Sequence, residues 1–586
     1  MFEVVHSLFS VNLWEIITKS CLSNYMEFTQ VAILMVTAGA FGIIARALKQ
    51  PLLIGYLFAG LALGATGLIS DVESLESLGS VGVALLLFLL GLEMKLSELP
   101  TIGKTALLTG LGQILFTSTV GFLISTALGF GVLPSIYIAI AITFSSTIIM
   151  VKLLSEKKDL NSLYGRIAVG FLLVQDFVAV IILMFLSGLG GDFSLTTSNL
   201  IVYLLVAAKA LFLFVFVWGL SKKILPRLFD KVANQSHELL FIVSVAWALG
   251  MSAFVADGLG FTLEIGGFLA GIALSNLPEH LQIASKTKSL RDFFLTIFFL
   301  LLGTKLIMAG EILVILPSAI VFSAFVLIGN PVIVMVIMGF LGYKKRTSFL
   351  AGLTVAQISE FSLILMSMGL VLGHVGDSHV AMVILIGVIT MTISTYVILG
   401  SDKIYKRIQR KLGIFERKRV KEAVFQTERK MTDHIVLVGC DRTGKALCSY
   451  FMRRNITFVV VDFNPSVFKK LNADKIPVVF GDINDPEIFD IASVKRARMI
   501  ISTTSNLVDN LTLLEHMKSL HKKPVTIFTA STKHDATSLY EKGATYLTVP
   551  EMTAGEHVKH LLELYGYGNK RFIKLGRSHF NRLMYK

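Results

Sequence analysis

The sequence predicts an all-α polytopic membrane domain followed by a C-terminal α/β domain of Rossmann-like type. Three observations support this division. Of the 586 residues, 54% are hydrophobic and only 16% are charged, whereas soluble proteins carry about a quarter charged residues. Apolar segments with the length of membrane passes fill residues 26–401. From about residue 432, short apolar strands alternate with helical stretches.

The first residues do not have the pattern of a cleaved signal peptide. Glu3, Glu15 and Lys19 interrupt the apolar run, and no cleavage site of small residues follows. The three cysteines imply no disulfide framework. The predicted domains are an N-terminal interfacial segment (1–25), a transmembrane domain (26–401), a basic cytoplasmic linker (402–431) and a Rossmann-like regulatory nucleotide-binding domain (432–586).

About thirteen segments of the transmembrane domain are apolar enough to form membrane passes, since one helical pass needs roughly 20 apolar residues. The ninth is short and rich in glycine, and the eleventh contains Gly329-Asn330-Pro331, which is able to break a helix. The segments begin near Phe28, Leu52, Val81, Thr105, Ser135, Ile167, Leu200, Glu238, Thr262, Phe293, Ile312, Ser348 and Val380.

Basic residues concentrate in alternate loops, such as the loop with Lys222, Lys223 and Arg227, whereas Ser70–Ser80 contains acids and no base. Basic loops face the cytoplasm. We therefore expect a multi-pass protein of the cell (inner) membrane, with a cytoplasmic C-terminal domain and the N-terminus outside. Because the positive charge lies in loops between apolar segments, the net charge of +14 does not indicate a nucleic-acid partner.

The two halves of the membrane domain resemble each other. Residues 55–64 read GYLFAGLALG and residues 266–275 read GGFLAGIALS, at a shift of 211. Leu89-Leu90-Gly91 and Leu301-Leu302-Gly303 match at a shift of 212. The shift spans seven predicted passes, an odd number, so matching helices cross the membrane in opposite senses. This predicts an inverted repeat, in which ion sites lie near the midplane at broken helices.

Two polar stretches mark where the crossed, broken helices are expected. Residues 143–147 of the fifth pass read TFSST, and residues 357–360 at the corresponding part of the twelfth read QISE. Unwound backbone and side-chain oxygens at such breaks replace the water shell of a cation. The candidate neighbours of an ion are Thr143, Ser145, Ser146, Gln357 and Ser359.

Asp176 lies about ten residues into the sixth pass, in the sequence FLLVQDFV. A carboxylate at this depth costs several kcal/mol unless it is paired, solvated or protonated. One interpretation is a protonated acid bonded to a neighbouring helix. The interpretation we favour is a carboxylate that alternately holds a proton and a monovalent cation, with Gln175 as an uncharged oxygen ligand. The corresponding position of the repeat, near Val388, is apolar, so the repeat alone does not require this acid.

Other charges inside the membrane segments have two interpretations each. Glu360 either takes part in ion handling or caps a half-helix. Arg291, at the predicted start of the tenth pass, either extends to the membrane surface or turns inward as a counter-charge to Asp176 or Glu360. Lys209 lies in the middle of a pass and needs a partner that the sequence does not identify.

The C-terminal domain begins with an apolar strand, His434–Val438, followed by the sequence GCDRTG. A dinucleotide-binding fingerprint has three glycines in this loop and an acid about 20 residues later. Gly439 and Gly444 supply the first and third glycines, and Asp462 is placed for a ribose. The second glycine is replaced by Asp441, which would repel a pyrophosphate. The candidate nucleotide-binding residues are Gly439, Asp441, Arg442, Thr443, Gly444, Asp462 and Asp482, with AMP, ATP or NAD(H) as ligands. A domain that has lost its nucleotide is the alternative.

Over nearly its whole length, the chain resembles the Kef-type branch of the monovalent cation:proton antiporters, with a C-terminal potassium-transport nucleotide-binding domain. The resemblance rests on Pro51–Leu57 with Gly60 and Gly64, Phe88–Glu93, Ser145-Ser146-Thr147, Gln175-Asp176, Ala270-Gly271 and Ser359-Glu360-Phe361. It implies a homodimer, elevator-like movement of a core domain, breaks that cross at the ion site, and a basic core position matching Arg291. Gln175-Asp176 resembles the potassium-preferring branch. Leu277–Leu290 lacks the acidic loop of glutathione-gated members.

The sequence thus predicts a potassium:proton antiporter with the lipid bilayer, K⁺ and H⁺ as partners. A sodium:proton antiporter of the same fold is the first alternative. A gated potassium efflux channel is the second, but no filter such as TVGYG is present. We do not expect an enzyme, because the C-terminal domain has no second domain to bring a substrate to a nicotinamide.

Overall fold

The structure is a computed structural model. It describes residues 29–66, 72–93, 103–157, 159–160, 162–188, 197–233, 236–308, 312–416, 431–483, 486–518, 520, 523–566 and 569–584. The predicted interfacial segment 1–25 and residues 417–430 of the predicted linker lie outside these residues. The described chain forms two compact units, a membrane unit and a C-terminal unit that contains the residues from Glu416 onward.

The membrane unit is helical throughout its described residues, apart from short connections. A π-helical turn at Phe325–Gly329 joins its thirteenth and fourteenth helices. In chain order the helices are α1 (Thr29–Ala47), α2 (Leu52–Thr66), α3 (Val72–Glu93), α4 (Gly103–Ala127), α5 (Val132–Ala141), α6 (Thr147–Glu156), α7 (Leu163–Gly188), α8 (Thr197–Lys223), α9 (Leu225–Ala233), α10 (His237–Leu259), α11 (Leu263–Leu274), α12 (His280–Met308), α13 (Ile312–Ala324), α14 (Asn330–Phe340), α15 (Lys345–Leu353), α16 (Glu360–Val371), α17 (Asp377–Leu399) and α18 (Ser401–Ile408).

Within the described residues, seven helical spans are long and apolar enough to cross a membrane. They lie in α1, α3, α4, α7, α10, the joined α13 and α14, and α17, while α2, α5, α11 and α16 are apolar but shorter. The protein is therefore a multi-pass membrane protein. A helix occupies each segment in which the sequence predicted a pass. The number of thirteen passes, their orientation and the inverted repeat stay predictions.

Glycines of the predicted repeat lie where helices approach most closely. Gly60 on α2 packs against the carbonyl oxygen of Leu300 on α12. Its repeat mate, Gly271 on α11, packs against the carbonyl oxygen of Phe88 on α3. A side chain at either glycine would overlap the facing backbone. Gly271 lies 211 residues after Gly60, and Leu300 lies 212 residues after Phe88. The two contacts therefore join corresponding residues of the predicted repeat.

Two sequence-based expectations about charged residues change. Helix α12 begins at His280 rather than near Phe293, because Ile283 packs into the apolar core of the unit and extends the helix toward its N-terminus. Arg291 therefore lies in the interior of a helix of 29 residues and does not open it. Lys209 gains its missing partner, since its ammonium group donates to the Leu259 carbonyl at 3.0 Å, at the end of α10.

The C-terminal unit is a doubly wound α/β domain, as predicted. Its six parallel strands have the order β3-β2-β1-β4-β5-β6, with helices between successive strands. This order brings the ends of β1 and β4 together at the point where the strand order reverses, which is where such domains bind ligands. The strands are β1 (Ile435–Val438), β2 (Phe458–Asp462), β3 (Val478–Phe480), β4 (Met499–Ser502), β5 (Val525–Thr529) and β6 (Tyr546–Thr548).

Candidate functional site

Two helical passes are interrupted in the middle of the membrane unit. One interruption, residues 142–146, separates α5 from α6, and the other, residues 354–359, separates α15 from α16. Both coincide with the polar stretches at which the sequence predicts breaks. We call these two interruptions together the crossover. Ser145 donates its hydroxyl to the Val355 carbonyl at 3.3 Å, so the two interruptions are in direct contact.

The half-helices that leave the crossover have capped N-termini. Ser146 caps α6 by accepting from the Ile149 amide, and Ser359 caps α16 by accepting from the Phe361 amide. Both serines also donate to the buried carboxylate of Glu360, at 3.0 and 3.3 Å. A single carboxylate thus joins the two positive helix ends, which are favourable positions for negative charge.

Asp176 lies on α7, and only 3% of its surface is exposed. The hydroxyl of Thr147, the first residue of α6, donates to the Asp176 Oδ2 atom at 2.8 Å. The second membrane carboxylate is therefore also placed at the N-terminus of a half-helix. Two acids beside two helix N-termini give the crossover a region of alternating charge that is suited to a small ion.

Gln175 is fully buried, and its amide is engaged on both sides. Its oxygen accepts from the Ser145 amide at 3.2 Å, and its nitrogen donates to the Gln113 oxygen at 2.6 Å. Gln113 in turn donates to the Thr143 carbonyl at 3.1 Å, while the Thr143 hydroxyl bonds back to Ala139 in its own helix. Gln175 therefore supports the unwound backbone in addition to its predicted place as a cation ligand.

Gln357 lies in the second interruption and is also fully buried. Its oxygen accepts from Ser394 on α17 at 2.8 Å, whereas its nitrogen has no hydrogen-bond partner among the described residues. Arg291 on α12 forms an ion pair with its neighbour Asp292 at 2.7 Å and attracts Glu360 electrostatically. The predicted role of Arg291 as a counter-charge to Asp176 or Glu360 stays a prediction.

The structure brings to the crossover several residues that the sequence did not predict as neighbours of an ion. They are polar residues within apolar helices, and that contrast is the only signal the sequence offers for them. Each donates to, or accepts from, a residue of the crossover or a residue that contacts it. The additional residues are Gln113, Thr117, Thr147, Asn330, Ser362, Thr390 and Ser394.

We call residues 439–444, which follow β1, the Gly439 loop. Its two glycines occupy the first and third glycine positions of a nucleotide-binding fingerprint. Gly439 has a positive φ of 82°, which favours glycine. Gly444 lies so close to the Gly439 carbonyl that a side chain would overlap it. Asp462 ends β2 and accepts from the Cys440 amide at 2.8 Å and the Asn464 amide at 2.7 Å. The acid predicted to bind a ribose is thus held against the loop.

The other predicted nucleotide-binding residues are placed differently. Asp441 precedes the helix Arg442–Arg453 and is exposed, without capping it through its side chain. Thr443 is exposed, and Asp482 is buried one residue after Gly481 at the end of β3. The side chain of Arg442 lies outside the described part of the chain. The loop backbone therefore fits a nucleotide, while Asp441 adds a negative charge beside the helix end that would bind its phosphates.

Two buried cysteines are neighbours here: Cys440 in the Gly439 loop and Cys448 in the following helix. The Cys440 and Cys448 sulfurs are 3.2 Å apart. The hydrogen bond from Cys448 lowers the pKa of the Cys440 thiol, whereas the same bond and burial raise the pKa of the Cys448 thiol. Cys440 is thus the more easily ionised of the two, at the first position after Gly439.

Comparison with known proteins divides the chain into the same two parts. Residues 31–399 match the transmembrane domain of sodium/hydrogen exchangers, and residues 435–550 match the TrkA-N domain. Because the first match covers more than half of the sequence, the chain belongs to the sodium/hydrogen exchanger family. It is an ion exchanger by family, in agreement with the expectation that it is not an enzyme.

Two relatives of the chain are named as antiporters. The candidate cation/proton antiporter YbaL of Escherichia coli (strain K12) is 24% identical over 541 residues, which cover 90% of this chain and 96% of that protein. The candidate K(+) efflux antiporter KefB of Alkalimonas amylolytica is 25% identical over 531 residues, which cover 86% and 76%. These matches confirm the Kef-type resemblance. A structure of the sodium proton antiporter MjNhaP1 from Methanocaldococcus jannaschii, 18% identical, covers 66% of this chain and 99% of its own, with a TM-score of 0.49.

Proposed function

We propose that the protein is a potassium:proton antiporter that exchanges cytoplasmic K⁺ for H⁺ by an elevator-type alternating-access mechanism. The observation that carries the proposal is Asp176, a buried carboxylate bonded through Thr147 to the start of a half-helix. Burial favours the neutral acid, while the helix end favours the carboxylate. These opposing influences suit a group that exchanges a proton for a cation.

The other residues of the crossover have distinct proposed tasks. Ser145, Ser146, Thr143, Gln357 and Ser359 contribute hydroxyl, amide or backbone oxygens around the ion. Glu360 and Arg291 keep the two half-helix ends together and balance their charge. Such a set of uncharged oxygens with one carboxylate suits a monovalent cation better than Mg²⁺ or Ca²⁺, which bind more carboxylates or retain water.

Potassium rather than sodium is proposed as the cation. The support is Gln175-Asp176, which resembles the potassium-preferring branch, together with a relative named as a K(+) efflux antiporter. The description of the family as sodium/hydrogen exchangers favours sodium as the second candidate. A channel has no supporting observation in the crossover.

Exchange measured in proteoliposomes tests the choice between the two cations. A pH gradient is imposed across vesicles that contain the purified full-length protein, and its collapse is followed as K⁺ or Na⁺ is added. We expect K⁺ to collapse the gradient at lower concentration than Na⁺. Collapse by Na⁺ that is insensitive to K⁺ would replace potassium by sodium in the proposal, and collapse by neither cation would reject antiport.

Regulation by the cytoplasmic C-terminal domain is also proposed, with α18 as the connection. Seven of its eight residues fall within the predicted linker, and it contacts the halves of both broken passes that are predicted to face the cytoplasm. Lys157, at the end of α6, donates to Ser401 at 2.7 Å and Asp402 at 3.1 Å. Tyr405 on α18 stacks near Phe349 on α15, with ring centroids 5.8 Å apart. A displacement of α18 would therefore act on both half-helices.

The proposed signal is a nucleotide bound at the Gly439 loop. AMP, ATP and NAD(H) are the candidates, and the positive φ of Gly439 and the close packing of Gly444 support them. Titration of the purified full-length protein with each nucleotide tests this step. Binding of one of them, accompanied by a change in exchange rate, is expected, and binding of none would reject nucleotide regulation.

The proposal also includes the membrane, the orientation and the oligomeric state of the protein. The basic loops support a cytoplasmic C-terminal domain, an outer N-terminus and insertion in the cell (inner) membrane. A homodimer is proposed from the Kef-type resemblance, with the core domain moving against a fixed dimerisation domain.

A further inference from the structure

Backbone groups left unpaired by a helix break inside a membrane need partners from the protein, because lipid supplies none. At the crossover, the carbonyls of Ile142 and Val355 belong to different broken passes. Both accept hydrogen bonds from one side chain, the amide of Asn330, at 3.3 and 3.5 Å. Both bonds are long, and they share one nitrogen, which carries two hydrogens.

The local sequence explains how Asn330 reaches this position. Pro331 has no backbone N–H and interrupts the helical hydrogen-bond ladder. The preceding residues, Phe325–Gly329, form a π-helical turn, a distortion that is frequent at functional sites. Asn330 follows this turn and is completely buried. The chain stays helical through Pro331, so the predicted break is a π-helical distortion and not an interruption, and the sequence does not reveal that Asn330 serves two other helices.

A third contact fixes the orientation of the Asn330 amide. Thr117 on α4 donates its hydroxyl to the Asn330 oxygen at 3.1 Å. Thr117 itself accepts from Gln113, which bonds to the Thr143 carbonyl. The amide oxygen is thus occupied, and the nitrogen faces the two broken passes.

We propose that Asn330 is a positioning residue that clamps the two broken passes together and thereby sets the geometry of the cation site. This inference rests on the proposed antiport function and deepens it. The hydrogen bonds of Asn330 go to Thr117 and to the carbonyls of residues 142 and 355. Asn330 therefore acts on the site through the backbone of the two broken passes. Loss of the clamp would loosen the oxygens that surround the ion more than it would alter the fold.

The test measures the apparent KM for K⁺ and the maximal exchange rate in proteoliposomes. Asn330→Leu removes all three hydrogen bonds at nearly constant volume. Asn330→Asp keeps the acceptor for Thr117 but removes the amide donors. We expect the KM to rise by about tenfold in both variants, since the Ile142 carbonyl loses its side-chain partner and the Val355 carbonyl keeps only Ser145. Thr117→Val removes the bond to the Asn330 oxygen together with the bond that Thr117 accepts from Gln113, and we expect a rise of about threefold.

Ser323→Ala is the matched control. Ser323 lies on α13, is 2% exposed, and its hydroxyl has no hydrogen-bond partner among the described residues, so its removal should leave the KM unchanged. A general loss of folding lowers the maximal rate, whereas loss of the clamp raises the KM. Should Asn330→Leu fail to fold, Asn330→Asp and Thr117→Val decide the question.

Two outcomes are distinguishable from each other. If the unmodified protein exchanges cations but the KM is the same in Asn330→Asp, Thr117→Val and Ser323→Ala, the clamp is rejected and antiport stands. If the unmodified protein exchanges no monovalent cation, the proposed function is rejected. A raised KM in the Asn330 and Thr117 variants alone supports the clamp.

Discussion

The crossover and the Gly439 loop both interrupt regular structure at the ends of helices, yet they treat their backbone groups differently. At the crossover, side chains from α4, α7, α14, α16 and α17 pair with the unwound backbone. At the Gly439 loop, the N-terminus of the following helix has no side-chain cap from Asp441. The difference follows from the surroundings, because water or a ligand can satisfy the loop, whereas lipid cannot satisfy the crossover.

This comparison teaches where substitutions should be costly. Polar side chains at the crossover pair with buried backbone groups and carboxylates, so the loss of one removes a hydrogen bond that lipid cannot replace. In the Gly439 loop the glycines determine the backbone shape, and the side chains tune the affinity for a ligand. We expect large effects of side-chain removal in the first region and moderate effects in the second.

After Asp176, the largest effect is expected at Glu360. Glu360→Leu leaves the hydroxyls of Ser146 and Ser359 without their acceptor, and we expect exchange to fall by about 100-fold, because several buried groups lose partners together. Glu360→Gln keeps an amide oxygen as acceptor and should lose about tenfold. Proteoliposome flux measures both. Glu76→Gln, which removes a half-exposed partner of Lys305, is the control and should change little. Similar flux in Glu360→Leu and Glu76→Gln would contradict the role of Glu360.

The sequence predicted some features of the crossover and missed others. The sequence located the two interruptions and both acids, because polar residues are conspicuous in apolar passes. It did not identify the bridging of Ser146 and Ser359 by Glu360, or the partners Gln113 and Asn330. Those contacts join residues that are distant along the chain, and no local pattern records which helices become neighbours. In the C-terminal domain the first strand and the alternation of strands with helices were predicted, since buried parallel strands appear as short apolar runs.

Close packing at Gly60 and Gly271 predicts costly substitutions elsewhere in the membrane unit as well. Gly60→Ala and Gly271→Ala each push a methyl group into a facing backbone, and we expect each to cost about 1–3 kcal/mol of stability. The two losses should be similar, because the repeat relates the two contacts. Gly250→Ala on α10 has open space around it and should be neutral or slightly stabilising. Thermal unfolding of the detergent-solubilised protein provides the measurement, and clearly unequal losses at Gly60 and Gly271 would argue against the repeat.

In the Gly439 loop, removal of one charge should strengthen binding. Asp441→Gly restores the missing glycine, and we expect the nucleotide affinity to increase about tenfold, as a phosphate no longer faces a carboxylate. Asp441→Asn removes only the charge and separates this effect from backbone approach. Asp474→Asn is the control, because this exposed residue precedes β3 at the opposite edge of the sheet. Calorimetric titration reports the affinities; an unchanged affinity in both Asp441 variants would show that the charge does not oppose binding.

The smallest effect on basal exchange is expected at the contact between α6 and α18, through which we propose that regulation acts. Lys157→Met breaks the contact of α6 with α18, and we expect basal exchange to change by less than about twofold, because a partly exposed ion pair contributes little. The response of exchange to a bound nucleotide should disappear. Lys152→Met, an exposed position on the same helix, should retain it. A full nucleotide response in Lys157→Met would exclude this contact as the route of regulation.

The most direct test of the central claim is the flux of Asp176→Asn. The variant keeps the volume of the side chain and an oxygen for Thr147, but it cannot alternate between a proton and a cation. The purified variant is reconstituted, its elution in size-exclusion chromatography is compared with that of the unmodified protein, and K⁺-dependent collapse of a pH gradient is measured. We predict unchanged elution and no exchange. Proton-coupled K⁺ flux in the folded variant would contradict Asp176 as the shared carrier.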